Sequence, residues 1–214
     1  MRRWSLPSPN RGRCAARCPV HEATITRDAE TAALVEPVGE SFAKLSEVAA
    51  RDPRWHVVNT ALGAEESEAT ITVTRASVMA SLRTPLATNS TGIGPDLDAV
   101  RQEVVPVRRL DSIFTDHVPA GAKVFGKLAV QGWDIEVLKG ASGCLDKVDA
   151  LQSIVSVIPL YEGMPSWLDS VAHMRAQGFE VTGMFPTLYN GPYRVVEFDA
   201  VMVRQPGGQA ESSG

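Results

Sequence analysis

Lys127, Gln131, Gly132 and Asp134 fall within eight residues of one another, in "KLAVQGWD". An ammonium, a carboxamide and a carboxylate gathered at one turn can orient a polar ligand or move a proton, and a glycine lets the ligand approach the backbone. The surrounding residues 124–141, "VFGKLAVQGWDIEVLKGA", read as an apolar strand, a tight polar turn and the start of a helix. In open α/β sheets, ligands bind outside the carboxyl ends of the strands, where such turns lie. Ala129 occupies the position in this turn where a reactive or ligand-holding side chain is expected. The plainer alternative is that Gln131 or Asp134 simply caps the helix.

Other strand ends carry similar candidates. Glu36 ends "LVEP" and can accept hydrogen bonds from both ribose hydroxyls of a nucleotide-like cofactor. Charge-assisted bonds of that kind contribute ~1.5–3 kcal/mol. Asn59 ends the run in "VNTALG" and can meet an adenine edge, although Asn also punctuates turns. Tyr161 and Glu162, in "PLYEGMP", can line a substrate pocket. Cys14, Cys18 and His21 lack a fourth ligand at a familiar metal-site spacing, so no metal is expected. His56, His117 and His173 are scattered and form no nucleophile–base pair by spacing. No phosphate-binding glycine motif follows a strand.

These residues need a scaffold, and the bulk composition permits one domain. The chain has 214 residues, 44% hydrophobic and 21% charged, as soluble globular proteins do. A net charge of −4 gives no basic footprint for nucleic acid. No apolar run reaches the ~18 residues that span a bilayer, so no membrane partner is expected. Three cysteines, Cys14, Cys18 and Cys144, suit a reducing, cytoplasmic setting. The Arg-rich, acid-free first 21 residues are weakly like a transit peptide, but Pro7 and Pro9 interrupt any amphipathic helix there.

Residues 1–30 show neither strand nor helix periodicity and read as mostly irregular. From about residue 31 to 204, strands and helices alternate. "TAALVEP" reads as a buried strand, and "GESFAKLSEVAARDP" as a helix with Phe42, Leu45, Val48 and Ala49 at helical spacing. "WHVVNTALG" follows as a strand, then "EATITVTR" as a more exposed one. Residues 77–99 suggest a long mobile lid. "RQEVVPVRRLDSIF" reads as a strand and a short helix over Leu110 to Phe114. "ALQSIVSVI" is an apolar strand, and "PSWLDSVAHMRAQG" a helix with Pro165 in its first turn and Gly178 as its stop. "FEVTGMF" and "EFDAVMVR" read as an antiparallel closing pair. The alternation predicts an α/β domain with a mainly parallel sheet covered on both faces. Residues 205–214 read as a flexible tail.

Five of these stretches, "VEPVGESFAKL", "WHVVNTALG", "VPVRRLDSIF", "KVFGKLAVQGWDIEVLKGA" and "IPLYEGMP", together resemble the FkbM family of S-adenosylmethionine-dependent methyltransferases, in family order. The resemblance implies a Rossmann-like class I methyltransferase sheet over residues 31–204. It implies methyl transfer from S-adenosylmethionine to a hydroxyl of a small metabolite or sugar. By the same resemblance Glu36 would hold the cofactor ribose and Asn59 would lie near the adenine. Gln131 and Gly132 would contact the cofactor beside the methyl-transfer site, with Lys127, Asp134 and Glu162 as the candidate catalytic side chains.

The chain also departs from the pattern. The family opens with a strand ending in a "DVGAN-x-G"-like loop, and nothing in residues 1–34 has that form. The family Asp of "K-[LI]-D-V-[EQ]-G" is Ala129 here, and Ile154 stands where the next strand carries Glu. The missing strand would lie centrally, between the Glu36 strand and the Lys127 strand. Its absence would leave several backbone groups unpaired at ~1–3 kcal/mol each, rivalling the ~5–15 kcal/mol stability of a whole domain. A substitute strand ("EATITRD" is the one candidate), a partner chain, or poor folding are the alternatives. The change of composition near residue 30 suggests that the N-terminal segment is read from another frame or start. Two functions follow: an O-methyltransferase of this type, or a degenerate methyltransferase fold without catalysis.

Overall fold

The structure is a computed structural model that describes residues 23–27 as backbone, and residues 31–87 and 97–205. Cys14, Cys18, His21, nearly all of the expected tail and part of the expected lid lie outside the described residues. A seven-stranded sheet forms the main layer, in the order β3-β2-β1-β7-β8-β10-β9. Its strands are β1 (Ala23–Arg27), β2 (Thr31–Val35), β3 (Trp55–Val58), β7 (Phe125–Leu128), β8 (Ala150–Ser156), β9 (Phe179–Tyr189) and β10 (Val195–Arg204). A second sheet, in the order β4-β6-β5, is built from β4 (Ala61–Leu62), β5 (Ser67–Thr74) and β6 (Ala99–Arg108). The helices are α1 (Gly39–Ala49), α2 (Leu110–His117), α3 (Asp134–Gly140) and α4 (Trp167–Ala176).

The central position expected to be missing is filled. Strand β1, from the "EATITRD" segment, lies between β2 and β7 and pairs antiparallel with both. Ala23 stands opposite Val35 on one side and Leu128 on the other. Residues 1–30 are therefore not wholly irregular: backbone pairing on two sides selects this segment despite its weak pattern. The expected parallel sheet becomes mixed. Within the main sheet β2–β3 and β7–β8 pair in parallel, whereas β1–β2, β1–β7, β8–β10 and β9–β10 are antiparallel. The expected β9–β10 antiparallel pair is present.

Side-chain alternation sorts the main sheet into two faces. Ala33, Val35, Leu128, Leu151, Val155, Ala200 and Met202 share a core with Ile113 and Phe114 of α2, Val137 and Leu138 of α3, and Met174 of α4. Helix α1 packs on the other face: Ala49 flanks Trp55 and Val57, which alternate with the core-facing Val58. Leu45 and Ala49 are buried as their spacing predicts, but Val48 is 48% exposed because its side of the helix meets solvent.

The second sheet caps the carboxyl edge of the first. Val38, Ala61, Ile71, Val73, Ala80, Val105 and Val107 make its own core. "WHVVNTALG" is thus two strands in two sheets. The Asn59 side chain donates to the Glu36 carbonyl at 2.9 Å, and Thr60 Oγ1 donates to the Pro106 carbonyl at 2.9 Å, turning the chain from one sheet to the other. Strand β5 is exposed only in its first half; Ile71 to Thr74 are all buried. Helix α4 begins after Ser166, which caps it in a reciprocal box with Asp169, so Pro165 precedes the first turn instead of occupying it.

Candidate functional site

Strand β7 ends at Leu128, and its turn bends sharply before α3. Gln131 takes φ +50° and Gly132 φ +81°. A β-carbon on Gly132 would come within 2.9 Å of Met164 Cβ, so glycine is required by conformation and by space. Gln131 is a left-handed non-glycine residue, and such backbone persists only where its surroundings hold it. Those surroundings are visible: its carbonyl accepts from Ser81 Oγ at 2.9 Å, and its Nε2 donates to the Val78 carbonyl at 3.3 Å.

Asp134 opens α3 but does not cap it; Trp133 is the N-cap residue, without a side-chain cap bond. The Asp134 carboxyl is 3% exposed and accepts from Ser153 Oγ of β8 at 2.7 Å. Burial pushes its pKa up to about 6, against the Ser153 hydroxyl, nearby backbone N–H groups and the Arg83 charge, which pull it down. A second buried carboxyl, Glu197 of β10, accepts from Ser156 Oγ at 3.1 Å. Burial pushes it up to about 7, with the Asp134 and Asp199 charges adding. Both groups therefore titrate near neutrality, the range suited to a general acid or base.

Glu36, the residue after β2, is fully buried, and its Oε1 accepts the Val38 N–H at 2.8 Å. Asn59 is exposed and spends its amide on the Glu36 and Pro37 carbonyls. The loops after β2 and β7 meet across one cavity of about 30 Å³, walled by Val35, Pro37, Leu62, Ser81, Val130 and Trp133 among others. Such a volume holds a water or two, whereas small-molecule pockets span ~300–1,000 Å³. Among the described residues, the one buried side-chain polar atom without a hydrogen-bond partner is Trp133 Nε1.

The expected site residues thus divide. Gln131, Gly132 and Asp134 share the turn; neither they nor Glu36 line the cavity, whose walls from the two loops are their chain neighbours Val35, Pro37, Val130 and Trp133. Lys127 is half-buried within β7, on the opposite face of the sheet from Leu128, which joins the main core. Glu162 is exposed; only its backbone joins the site, its N–H donating to the Thr84 carbonyl at 2.9 Å. Tyr161 is buried, and its hydroxyl donates to the Met79 carbonyl at 2.7 Å. Sequence reasoning missed Glu197, Ser153 and Arg83. Glu197 lies in an ordinary strand alternation and Arg83 in a loop, so neither carries a local signal.

A wider groove of about 620 Å³ lies at the opposite, amino end of β7, walled by Phe114, Val118, Val124, Lys147 and Asp149. None of the expected residues reaches it. Among the described residues, no three His, Cys, Asp or Glu side chains gather as a metal site, and no helix is long and apolar enough to cross a membrane. No family model, curated protein or solved structure matches the chain.

Proposed function

We propose that this chain is an S-adenosylmethionine-dependent O-methyltransferase domain of the FkbM type, acting on a hydroxyl of a small metabolite or sugar. The observation that carries the reading is the convergence of the loops after β2 and β7 on one cavity at the carboxyl edge of the sheet. With β7 and β8 counted as fourth and fifth, the order β3-β2-β1-β7-β8 follows the 3-2-1-4-5 arrangement of dinucleotide-binding folds, whose ligands sit at this switch point. Glu36, Gln131 and Gly132 would hold the cofactor, which supplies the methyl group. Asp134, titrating at about 6, is the side chain best suited to take the acceptor proton in place of the acid lost at Ala129. Lys127 and Glu162 stand outside that role.

A second reading is a degenerate methyltransferase fold without catalysis. It is favoured by β1, which forms an antiparallel partner of β2 where a glycine-rich turn and helix would cradle the cofactor. Calorimetric titration of the purified chain with S-adenosylmethionine separates the two. Micromolar binding that Glu36→Gln weakens by roughly tenfold, about 1.4 kcal/mol, supports the enzyme. No heat at millimolar cofactor supports the degenerate fold. In the enzyme reading, Ala129→Asp raises methyl transfer; in the other, it changes nothing.

A further inference from the structure

Strands β7, β8 and β10 bury one face of the main sheet and leave the other open. In β8, Leu151, Ser153 and Val155 are buried, and Ala150, Gln152 and Ile154 between them are half-buried. In β10, Ala200 and Met202 are buried, whereas Asp199 and Val201 are half-buried and Val203 is 44% exposed. Strand pairing sets the open positions in rows: Phe125 with Ala150 and Val203, Lys127 with Gln152 and Val201, and Ile154 with Asp199. On β9, Phe185 pairs with Asp199, is 58% exposed, and lays its ring over Gly183.

Helices α2, α3 and α4 all pack on the buried face. Helix α1 lies on the open side, beside Trp55 and Val57 of β3, and Leu34, next to Val57, is 3% exposed. Among the described residues, no element covers β7, β8, β10 and β9 on that side. Phe125, Ile154, Val201 and Val203 join none of the buried clusters. Lys127 and Asp199 make no hydrogen bond or salt bridge among the described residues.

The sheet order places β8 at the centre of five strands, β1, β7, β8, β10 and β9, with β2 and β3 beyond β1. That arrangement matches a second copy of itself. A two-fold axis along β8 sets β7 of one copy over β10 of the other, and β9 over β1. Phe125 then meets Val203, from its own row, in an apolar contact made twice. Lys127 comes within one row of Asp199, about 7 Å along the strand, and its flexible four-carbon stem spans that offset. Stacked sheets lie about 10 Å apart, close to the diameter of a helix, so α1 fits beside the second copy's β9. A two-fold axis across the strands would instead set α1 on its own copy and hold the sheets apart. The open face measures about 24 Å by about 20 Å, so a pair buries roughly 1,000 Å², the lower bound for a specific interface.

We propose that this open face is the interface of an isologous dimer, two copies stacked sheet on sheet about β8, with Phe125 against Val203 and Lys127 paired with Asp199 between copies. The dimer is independent of the chemistry assigned to the candidate site.

The test is sedimentation velocity of the full chain and its variants. The full chain is expected to sediment as a dimer at about 50 μM, given an interface of this size. Val203→Glu buries an unpaired charge against Phe125 and should weaken the dimer about a hundredfold or more. Lys127→Asp and Asp199→Lys each bring like charges together and should weaken it roughly tenfold or more. The two reversals combined restore opposite charges and should recover the dimer. A dimer indifferent to all of these, or one lost on single reversal and not recovered by the pair, overturns the interface. A monomer at the same concentration overturns the second copy as occupant and leaves the face to residues 1–22 or to a different protein. Should Val203→Glu lose its circular dichroism spectrum, the charge reversals decide alone.

Discussion

Asp134 and Glu197 are each nearly buried and each bonded to one serine hydroxyl. Both are held above their ordinary range, to about 6 and about 7. A carboxyl whose folded pKa is raised binds its proton more tightly in the native state. Its contribution is therefore full below the unfolded pKa, near 4, and is lost as pH climbs through the folded values. The urea midpoint should fall between about pH 5 and pH 8. Asp134→Asn leaves Ser153 an acceptor and removes the ionisation. It should raise stability at about pH 8 by ~1–3 kcal/mol and flatten the pH dependence, as equilibrium denaturation would read. An unchanged slope would mean that Asp134 titrates as an ordinary carboxyl. Asp134 was legible in the sequence because strand, turn and helix are adjacent there. Glu197 was not, because its burial depends on a serine 41 residues away in the chain.

At the scale of elements, β1 bears the most weight for its size. All five of its residues pair with β2 and four of them with β7, where the alternative was two central strands with unpaired edges. In a strand flanked on both sides every interior N–H points to one neighbour or the other. Ile25→Pro must therefore remove a ladder bond, and proline is excluded from central strands for that reason. A loss of about 3 kcal/mol or more is expected, read as a lowered melting temperature. A normal melt would show that β1 is dispensable and that β2 and β7 tolerate open edges. The same strand explains why the sheet is mixed. It enters at the carboxyl edge and returns through a three-residue connection to β2, so it must run against both neighbours.

The whole molecule depends on how its two sheets meet. Near that joint the backbone of Gly140, in the last turn of α3, packs directly on Gly63 just after β4. A β-carbon on Gly140 would lie 1.9 Å from the Gly63 carbonyl oxygen and 3.5 Å from the Arg109 Cα. The obstacle is backbone, so no rotamer relieves it. Gly140→Ala should cost on the order of 1–3 kcal/mol, as overpacking does, despite the better helix propensity of Ala. It should also loosen the joint, read as faster amide exchange in β4 and at Gly63. Wild-type stability in that variant would mean that α3 is less tightly apposed to Gly63 than the structure places it.

The sequence alone determined the alternation of strands and helices, the apolar faces of most elements, and the turn carrying Gln131, Gly132 and Asp134. Each of these is written in neighbouring residues through periodicity and turn chemistry. It also singled out "EATITRD" as the one segment able to fill the centre of the sheet. Tertiary structure alone decided that this strand runs antiparallel, that "WHVVNTALG" divides between two sheets, and that Val48 stays exposed. It likewise decided that Glu197 joins Asp134 as a buried acid and that Arg83 ties the segment after β5 to the turn after β7. These depend on contacts between residues far apart in the chain, where pairing, burial and packing outweigh local preference.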